Sequence, residues 1–96
     1  MTDKLQTAID RGQRAKNILN DELFKEADAH IEAEIFRKFA ECLPDDERAL
    51  KHIKAMLYFH TKYRAFLQRA VNDGKMAQME VERDGALRRG LRKVVG

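Results

Sequence analysis

The sequence predicts an all-α protein, an elongated antiparallel helical hairpin with a shorter N-terminal helix and a basic C-terminal helix. Apolar residues recur at steps of three and four on both sides of Pro44, which is the spacing of one face of an α-helix. Pro44 is the only proline, and it divides two long segments that should fold back on each other. The second segment would measure about 40 Å, which exceeds the roughly 32 Å diameter of a compact chain of this length.

The long helix is predicted at residues 45–73, and its apolar surface is wide. A surface helix buries an arc of about 100°, whereas this arc reaches about 200° once Phe59 and Phe66 are included. We therefore expect the helix to lie at the centre of a bundle or between two partners. Its apolar stripe consists of Leu50, Ile53, Met56, Leu57, His60, Tyr63, Leu67, Ala70 and Val71.

Capping signals predict the ends of this helix. Asp45 or Asp46 can accept hydrogen bonds from the free backbone N–H groups of its first turn. Asn72-Asp73-Gly74 predicts its end, because glycine suits the left-handed conformation that closes many helices. Asp84-Gly85 predicts a further turn.

The other predicted segments are an N-terminal helix at 1–20, a second helix at 21–43 and a short basic helical segment at 75–96. Gly12 should weaken the first helix by about 1 kcal/mol relative to alanine. Asp21 offers an N-cap for the second helix, which closes before Pro44. The predicted inner face of the second helix consists of Phe24, Ala27, Ile31, Ile35, Phe39 and Cys42.

The composition describes one small, charge-rich domain. A chain of 96 residues buries a small core, so we expect a homo-oligomer. The net charge of +3 does not identify a nucleic-acid binder, but residues 21–43 carry a net charge of −4 between positive segments, which favours pairing between helices or subunits. The single cysteine, the short apolar runs and the polar start predict a cytoplasmic protein without membrane contact.

No residue pattern indicates catalysis, a metal site or a cofactor. His52 and His60 would lie about 12 Å apart along the long helix, too far to hold one metal ion. Cys42 has no paired base, and the chain lacks a glycine-rich phosphate loop. We therefore expect a non-enzymatic protein that needs no cofactor.

Basic and apolar surface residues are the candidate binding sites. Lys51, Tyr58, Lys62 and Arg69 fall within about 40° on the long helix, which suits a phosphate backbone, although pairing with the acidic second helix is the alternative. The C-terminal cluster consists of Arg83, Arg88, Arg89, Arg92 and Lys93. It suits binding to nucleic acid or to an acidic groove of a partner protein, and a solvent-exposed terminal helix is the alternative. The apolar candidates for an oligomer or partner interface are Met56, Phe59, Tyr63, Phe66, Leu87 and Leu91.

Residues 14–75 resemble a class of small helical proteins of tailed bacteriophages and prophages. The elements that carry the resemblance are Arg14-Ala15, Ile18-Leu19, Glu22-Leu23-Phe24-Lys25-Glu26-Ala27, Ile31-Glu32 and Gly74-Lys75. Phe36 or Phe39 stands where that pattern often carries tryptophan. Such proteins are typically encoded among head-assembly and DNA-packaging genes, so the resemblance implies a role in the host cytoplasm or on the virion.

The expected function is a non-catalytic, oligomeric interaction protein of phage assembly or DNA packaging, with another phage or host protein as its partner. One alternative is a nucleic-acid-binding module, such as a small DNA-packaging subunit that binds DNA. The other is a small inhibitor or adaptor of a host protein.

Overall fold

The chain forms three α-helices in the computed structural model, which describes the backbone of residues 2–95 and the side chains of residues 3–90. Helix α1 spans Thr2–Asn20, α2 spans Glu22–Glu41 and α3 spans Glu47–Val95. The molecule measures 75 × 26 × 18 Å, and its radius of gyration is 21.2 Å against about 12.5 Å for a compact chain of this length. The predicted all-α class and elongated shape are confirmed. Over the described residues, no helix has a segment long and apolar enough to cross a membrane.

Helices α1 and α2 pack one after the other along α3 and run antiparallel to it. Asp28 of α2 contacts His60 of α3, and Gly12 of α1 lies against Gly74. The farther a residue lies before the α2–α3 turn, the farther after the turn lies the residue that it contacts. The antiparallel hairpin that the sequence predicts is formed by α2 with the first half of α3, and α1 extends it along the second half.

Aspartate caps mark the starts of α2 and α3, as the sequence predicts. Asp21 has extended backbone (φ −67°, ψ 129°), and its Oδ1 accepts a 3.0 Å hydrogen bond from the Phe24 N–H. Asp46 Oδ1 accepts a 3.0 Å hydrogen bond from the Ala49 N–H. Each bond satisfies one of the backbone donors that a first helical turn leaves free.

Helix α2 ends at Glu41, slightly earlier than the predicted Leu43. Cys42 already has extended backbone (φ −73°, ψ 133°), and its N–H donates to the Phe39 carbonyl. The helix therefore closes at Cys42, two residues before Pro44.

Gly12 of α1 and Gly74 of α3 bring the two helix backbones into direct contact. A Cβ on Gly12 would lie 2.9 Å from the Gly74 Cα and 3.0 Å from the Ala70 carbonyl oxygen. A Cβ on Gly74 would lie 2.9 Å from the Gly12 Cα. Ala15 and Ala77 are buried beside this crossing. Small residues on both helices therefore permit an approach that larger side chains would prevent.

The predicted helix end at Asn72-Asp73-Gly74 is wrong, because α3 continues without a break to Val95. No glycine among the described residues has a positive φ, so Gly74 serves close packing and not a left-handed turn. The packing of α1 against this stretch outweighs the helix penalty of glycine, which is about 1 kcal/mol. The predicted turn at Asp84-Gly85 is wrong as well, and the predicted C-terminal helical segment is the last part of α3.

The last part of α3 projects beyond α1. Because antiparallel helices pair positions in opposite order, the Gly12–Gly74 contact places the start of α1 near residue 84. A Cβ on Gly85 or Gly90 would meet no atom within 4 Å. Leu87 is exposed on this projecting part.

The buried core is thin. Its hydrophobic members among the described side chains are Ala15, Ile35, Ile53, Val71 and Ala77. The predicted inner faces are wrong for Leu57 of α3 and for Ala27, Ile31 and Phe39 of α2, which are exposed because α2 covers only one edge of the α3 stripe. The accessible surface is 8370 Å², whereas a compact monomer of 11.2 kDa exposes about 5700 Å². A single chain therefore leaves much apolar surface without a partner.

We expect Gly74→Ala to be less stable than Gly85→Ala by more than about 1 kcal/mol. Alanine improves helix propensity by up to about 1 kcal/mol at both positions. At residue 74 the new methyl group would press against α1 backbone, and such overpacking costs about 1–3 kcal/mol, whereas residue 85 faces open space. Urea unfolding of both variants measures the difference. Equal stabilities would show that α1 and α3 do not touch at this point.

Candidate functional site

An apolar groove of about 800 Å³ runs between α2 and α3. Ile35 and Ile53 form its floor and are buried between the two helices. Phe36 and Phe39 of α2 line one side with 73% and 60% of their surface exposed, and Leu57 of α3 lines the other side with 51% exposed. Exposed large apolar side chains that cluster in this way mark contact sites on protein surfaces.

The groove arises from the width of the apolar arcs on the two helices. Phe36 and Phe39 follow Ile35 by one and four positions, so both lie on the same flank of α2. Leu57 follows Ile53 by four positions and lies on the matching flank of α3. Each helix covers the floor residues of the other but cannot reach the flanks. The flanks therefore stay exposed in a single chain.

A polar cluster joins α2 to α3, and three of its members, Glu32, His60 and Arg64, also line the groove. His60 Nε2 lies 2.8 Å from Asp28 Oδ1, and the Tyr63 hydroxyl donates a 2.5 Å hydrogen bond to the same oxygen. Arg64 bridges two carboxylates, with Nη1 2.7 Å from Glu32 Oε1 and Nε 3.4 Å from Asp28 Oδ2. The His60 side chain is buried and that of Asp28 is nearly so. The contact between His60 and Asp28 is therefore shielded from water, whereas Arg64 and Glu32 are about half exposed.

The polar cluster shifts the pKa values of two of its members. The hydrogen bond from Tyr63 is the main cause that lowers the pKa of Asp28 below its ordinary value of 3.8; burial opposes it, while His60 and Arg64 act in the same direction. Burial, followed by the hydrogen bond to Asp28, raises the pKa of Tyr63 to about 12. The folded state thus favours a charged Asp28 beside a neutral Tyr63.

Asp28, Glu32 and His60 place three ligand atoms within 4.8 Å of one another, which is a spacing that metal ions can use. The Arg64 guanidinium, however, already contacts both carboxylates. A divalent ion would have to displace this cation from its partners. We therefore interpret the polar cluster as an ion-pair and hydrogen-bond network that holds the hairpin together.

The predicted basic stripe of Lys51, Tyr58, Lys62 and Arg69 lies on exposed surface of α3. The Lys62 ammonium lies 5.3 Å from the centroid of the Tyr58 ring. Among the described side chains, the carboxylates of α2 that pair with α3 do so with His60 and Arg64, and not with the stripe. The alternative prediction, in which the stripe pairs with α2, is therefore not found.

The predicted interface residues fall into two groups. Met56 and Tyr63 are partly buried within the hairpin, and the Tyr63 ring packs edge-on against Phe24. Phe59 and Phe66 are exposed on the flank of α3 that lies about 160° from Leu57, on the far side from the groove. The Arg11 guanidinium lies 5.9 Å from the Phe66 ring centroid. Leu87 is exposed on the projecting part of α3, and the side chain of Leu91 lies outside the described ones.

The cations of the C-terminal cluster point in different directions. Arg83, Arg88 and Arg89 are exposed on one continuous helix, and their separations in sequence spread them around its circumference. No single flat surface therefore meets all three. The side chains of Arg92 and Lys93 lie outside the described ones.

Two features of the site escaped the sequence analysis, namely the polar cluster and the role of Phe36. A signal for the polar cluster does exist. Asp28 lies sixteen positions before Pro44 and His60 lies sixteen positions after it, so an antiparallel hairpin brings them together. Ile35 and Ile53 are likewise equidistant from Pro44. No local pattern predicts which flank of α2 stays uncovered.

We expect the free energy of unfolding to fall as the pH rises from 10 to 12, because the unfolded chain loses the Tyr63 proton near pH 10 while the folded chain retains it to about pH 12. The stabilisation is fully present below pH 10. Tyr63→Phe should remove the part of this fall that is due to Tyr63. It should also lower the free energy of unfolding by about 1 kcal/mol at neutral pH. Tyr58→Phe is the matched control, since Tyr58 is exposed. If the free energy of unfolding of Tyr63→Phe fell between pH 10 and 12 as much as that of the wild type, the attribution of this fall to Tyr63 would be contradicted.

Comparison of the chain with protein-family models, with curated proteins and with solved structures gives no match.

Proposed function

We propose that this chain is a non-catalytic helical interaction protein that works as an oligomer. The observation that carries the proposal is its uncovered apolar surface. The accessible area exceeds that of a compact monomer by roughly 2700 Å², and large side chains such as Phe36, Phe39 and Phe59 are exposed. The elongated shape accounts for part of this total area, and the exposed apolar rings are the part that a partner subunit would cover. The single chain therefore has the surface of one part of an assembly.

The setting that we propose for this oligomer is phage assembly or DNA packaging. The support is the resemblance of residues 14–75 to small helical proteins of tailed phages. That range contains the groove, the polar cluster and the Gly74 side of the α1–α3 crossing. Neighbouring genes for head or terminase proteins, and the presence of the protein in purified particles, would support this setting. A gene far from any phage cluster would count against it.

The second candidate function is binding of nucleic acid through the basic stripe. The observation in its favour is that Lys51, Lys62 and Arg69 remain exposed and are not used for the pairing between α2 and α3. They span about 27 Å along a straight helix, with Tyr58 among them. This arrangement suits a polyanion that lies along the helix.

Self-association should be visible in solution. Light scattering coupled to gel filtration, at tens of micromolar protein, is expected to give a mass of at least twice 11.2 kDa. The apolar area left exposed by one chain is the physical reason. An 11.2 kDa species at high micromolar concentration would contradict the proposed function.

Duplex DNA binding, if it occurs, should weaken steeply with salt. Each phosphate neutralised contributes about −0.9 to the slope of log affinity against log salt. Replacing Lys51, Lys62 and Arg69 by alanine should flatten this slope by up to about 3 units and weaken binding to unrelated sequences alike. Replacing Arg88 and Arg89 by alanine tests the C-terminal cluster in the same way. Titrations of both variants at two salt concentrations show whether the basic stripe or the C-terminal cluster contacts DNA. If the wild type does not bind DNA at low salt, both sites are excluded.

A further inference from the structure

We propose that the groove between α2 and α3 receives the same groove of a second copy, so that two hairpins form an antiparallel four-helix bundle. This inference rests on the proposed self-association and assigns its interface. Phe36 and Phe39 of α2 and Leu57 of α3 are the side chains that the second copy covers. The Phe59 and Phe66 flank of α3 stays outside the bundle.

The groove lies between two helices, and a helical partner can lie along it. Helix α2 has 20 residues and is therefore about 30 Å long, with apolar side chains on a flank that continues from the groove floor. A two-helix layer with one such flank is covered most simply by a second two-helix layer, which is the arrangement of a four-helix bundle. The chain itself supplies a layer of matching length and pattern.

The charge of the groove is compatible with an identical partner. In a two-fold symmetric contact a surface meets its own copy, so a patch with net charge would repel itself. The charged residues that line the groove are Glu32 and Arg64, and they already pair with each other at 2.7 Å. The lining therefore carries no net charge, and helical spacing adds one cation beside the groove, Lys54, three positions before Leu57.

The opposite flank of α3, which carries Phe59 and Phe66, lacks this balance of charge. Lys62 lies three positions after Phe59 and four before Phe66, and Arg69 lies three positions after Phe66, so helical spacing places one cation beside Phe59 and two beside Phe66. The Arg11 guanidinium adds a further positive charge beside Phe66. Self-pairing there would bring like charges together. The groove is therefore the flank that two copies can share.

The two exposed phenylalanine rings supply a substantial part of the area that a stable contact needs. A phenylalanine side chain buries about 200 Å², so the exposed fractions of Phe36 and Phe39 amount to roughly 270 Å². A standard interface buries about 800 Å² on each partner. These two rings thus supply about a third of it before Leu57 and Leu43, which is also exposed, are counted.

Matched charge substitutions on the two flanks test the assignment. Phe36→Glu with Phe39→Glu should give an 11.2 kDa monomer at concentrations where the wild type is oligomeric, because two carboxylates would enter the interface. Phe59→Glu with Phe66→Glu is the control and should keep the wild-type mass. Circular dichroism should show wild-type helicity in both, since all four rings are exposed in the single chain.

A fluorescent reporter provides an independent measurement, because the chain contains no tryptophan. Phe36→Trp should give emission at shorter wavelength and weaker iodide quenching than Phe59→Trp, and dilution should remove that difference. The groove interface would be overturned if Phe36→Glu with Phe39→Glu stayed oligomeric, if Phe59→Glu with Phe66→Glu lost association, or if the two tryptophan reporters were quenched equally. The proposed function would still stand after any of these results. A monomeric wild type would overturn both.

Discussion

The contact between Gly12 and Gly74 determines how the remaining helices can pack. The distance between two helix axes is set by the side chains at their contact, and here both helices contribute only hydrogen atoms. Farther along α3, the pairs that meet α2 are larger, with Asp28 against His60 and Ile35 near Ile53. Helix α2 must therefore lie farther from the α3 axis than α1 does. The helices therefore pack closely where α1 meets α3 and less closely where α2 meets α3, and the groove forms between α2 and α3.

The polar cluster explains how α2 stays in register despite its thin apolar contact. Removing one partner from a buried ion pair costs more than the pair itself contributes, because the remaining charge is left without compensation. A shift of α2 by one turn would move Asp28 away from the Tyr63 hydroxyl, His60 and Arg64 together. The network thus fixes the register with few apolar residues. Phe36 and Phe39 are left free for other contacts.

Local signals predicted the helices and their starts, and non-local contacts account for what the sequence analysis missed. The caps at Asp21 and Asp46 and the turn at Pro44 depend on neighbouring residues, so they are readable in the sequence. The continuation of α3 through Gly74 depends on Gly12, which lies far away along the chain. Periodicity likewise predicts an apolar arc of about 200° but not which part of it a neighbour covers. Leu57 for this reason faces the groove and not the core.

The two uncovered flanks differ in charge, and this difference allows both proposed activities in one molecule. Lys62 lies about 140° from Leu57 around α3, so a partner in the groove leaves the basic stripe exposed. In the proposed dimer the two-fold axis would present two such stripes on opposite outer faces. Two linked sites bind a long polyanion more tightly than one, provided that the polyanion can reach both. Self-association through the groove would therefore strengthen nucleic-acid binding only for a polyanion that wraps around the dimer, and it would leave each stripe free to bind on its own.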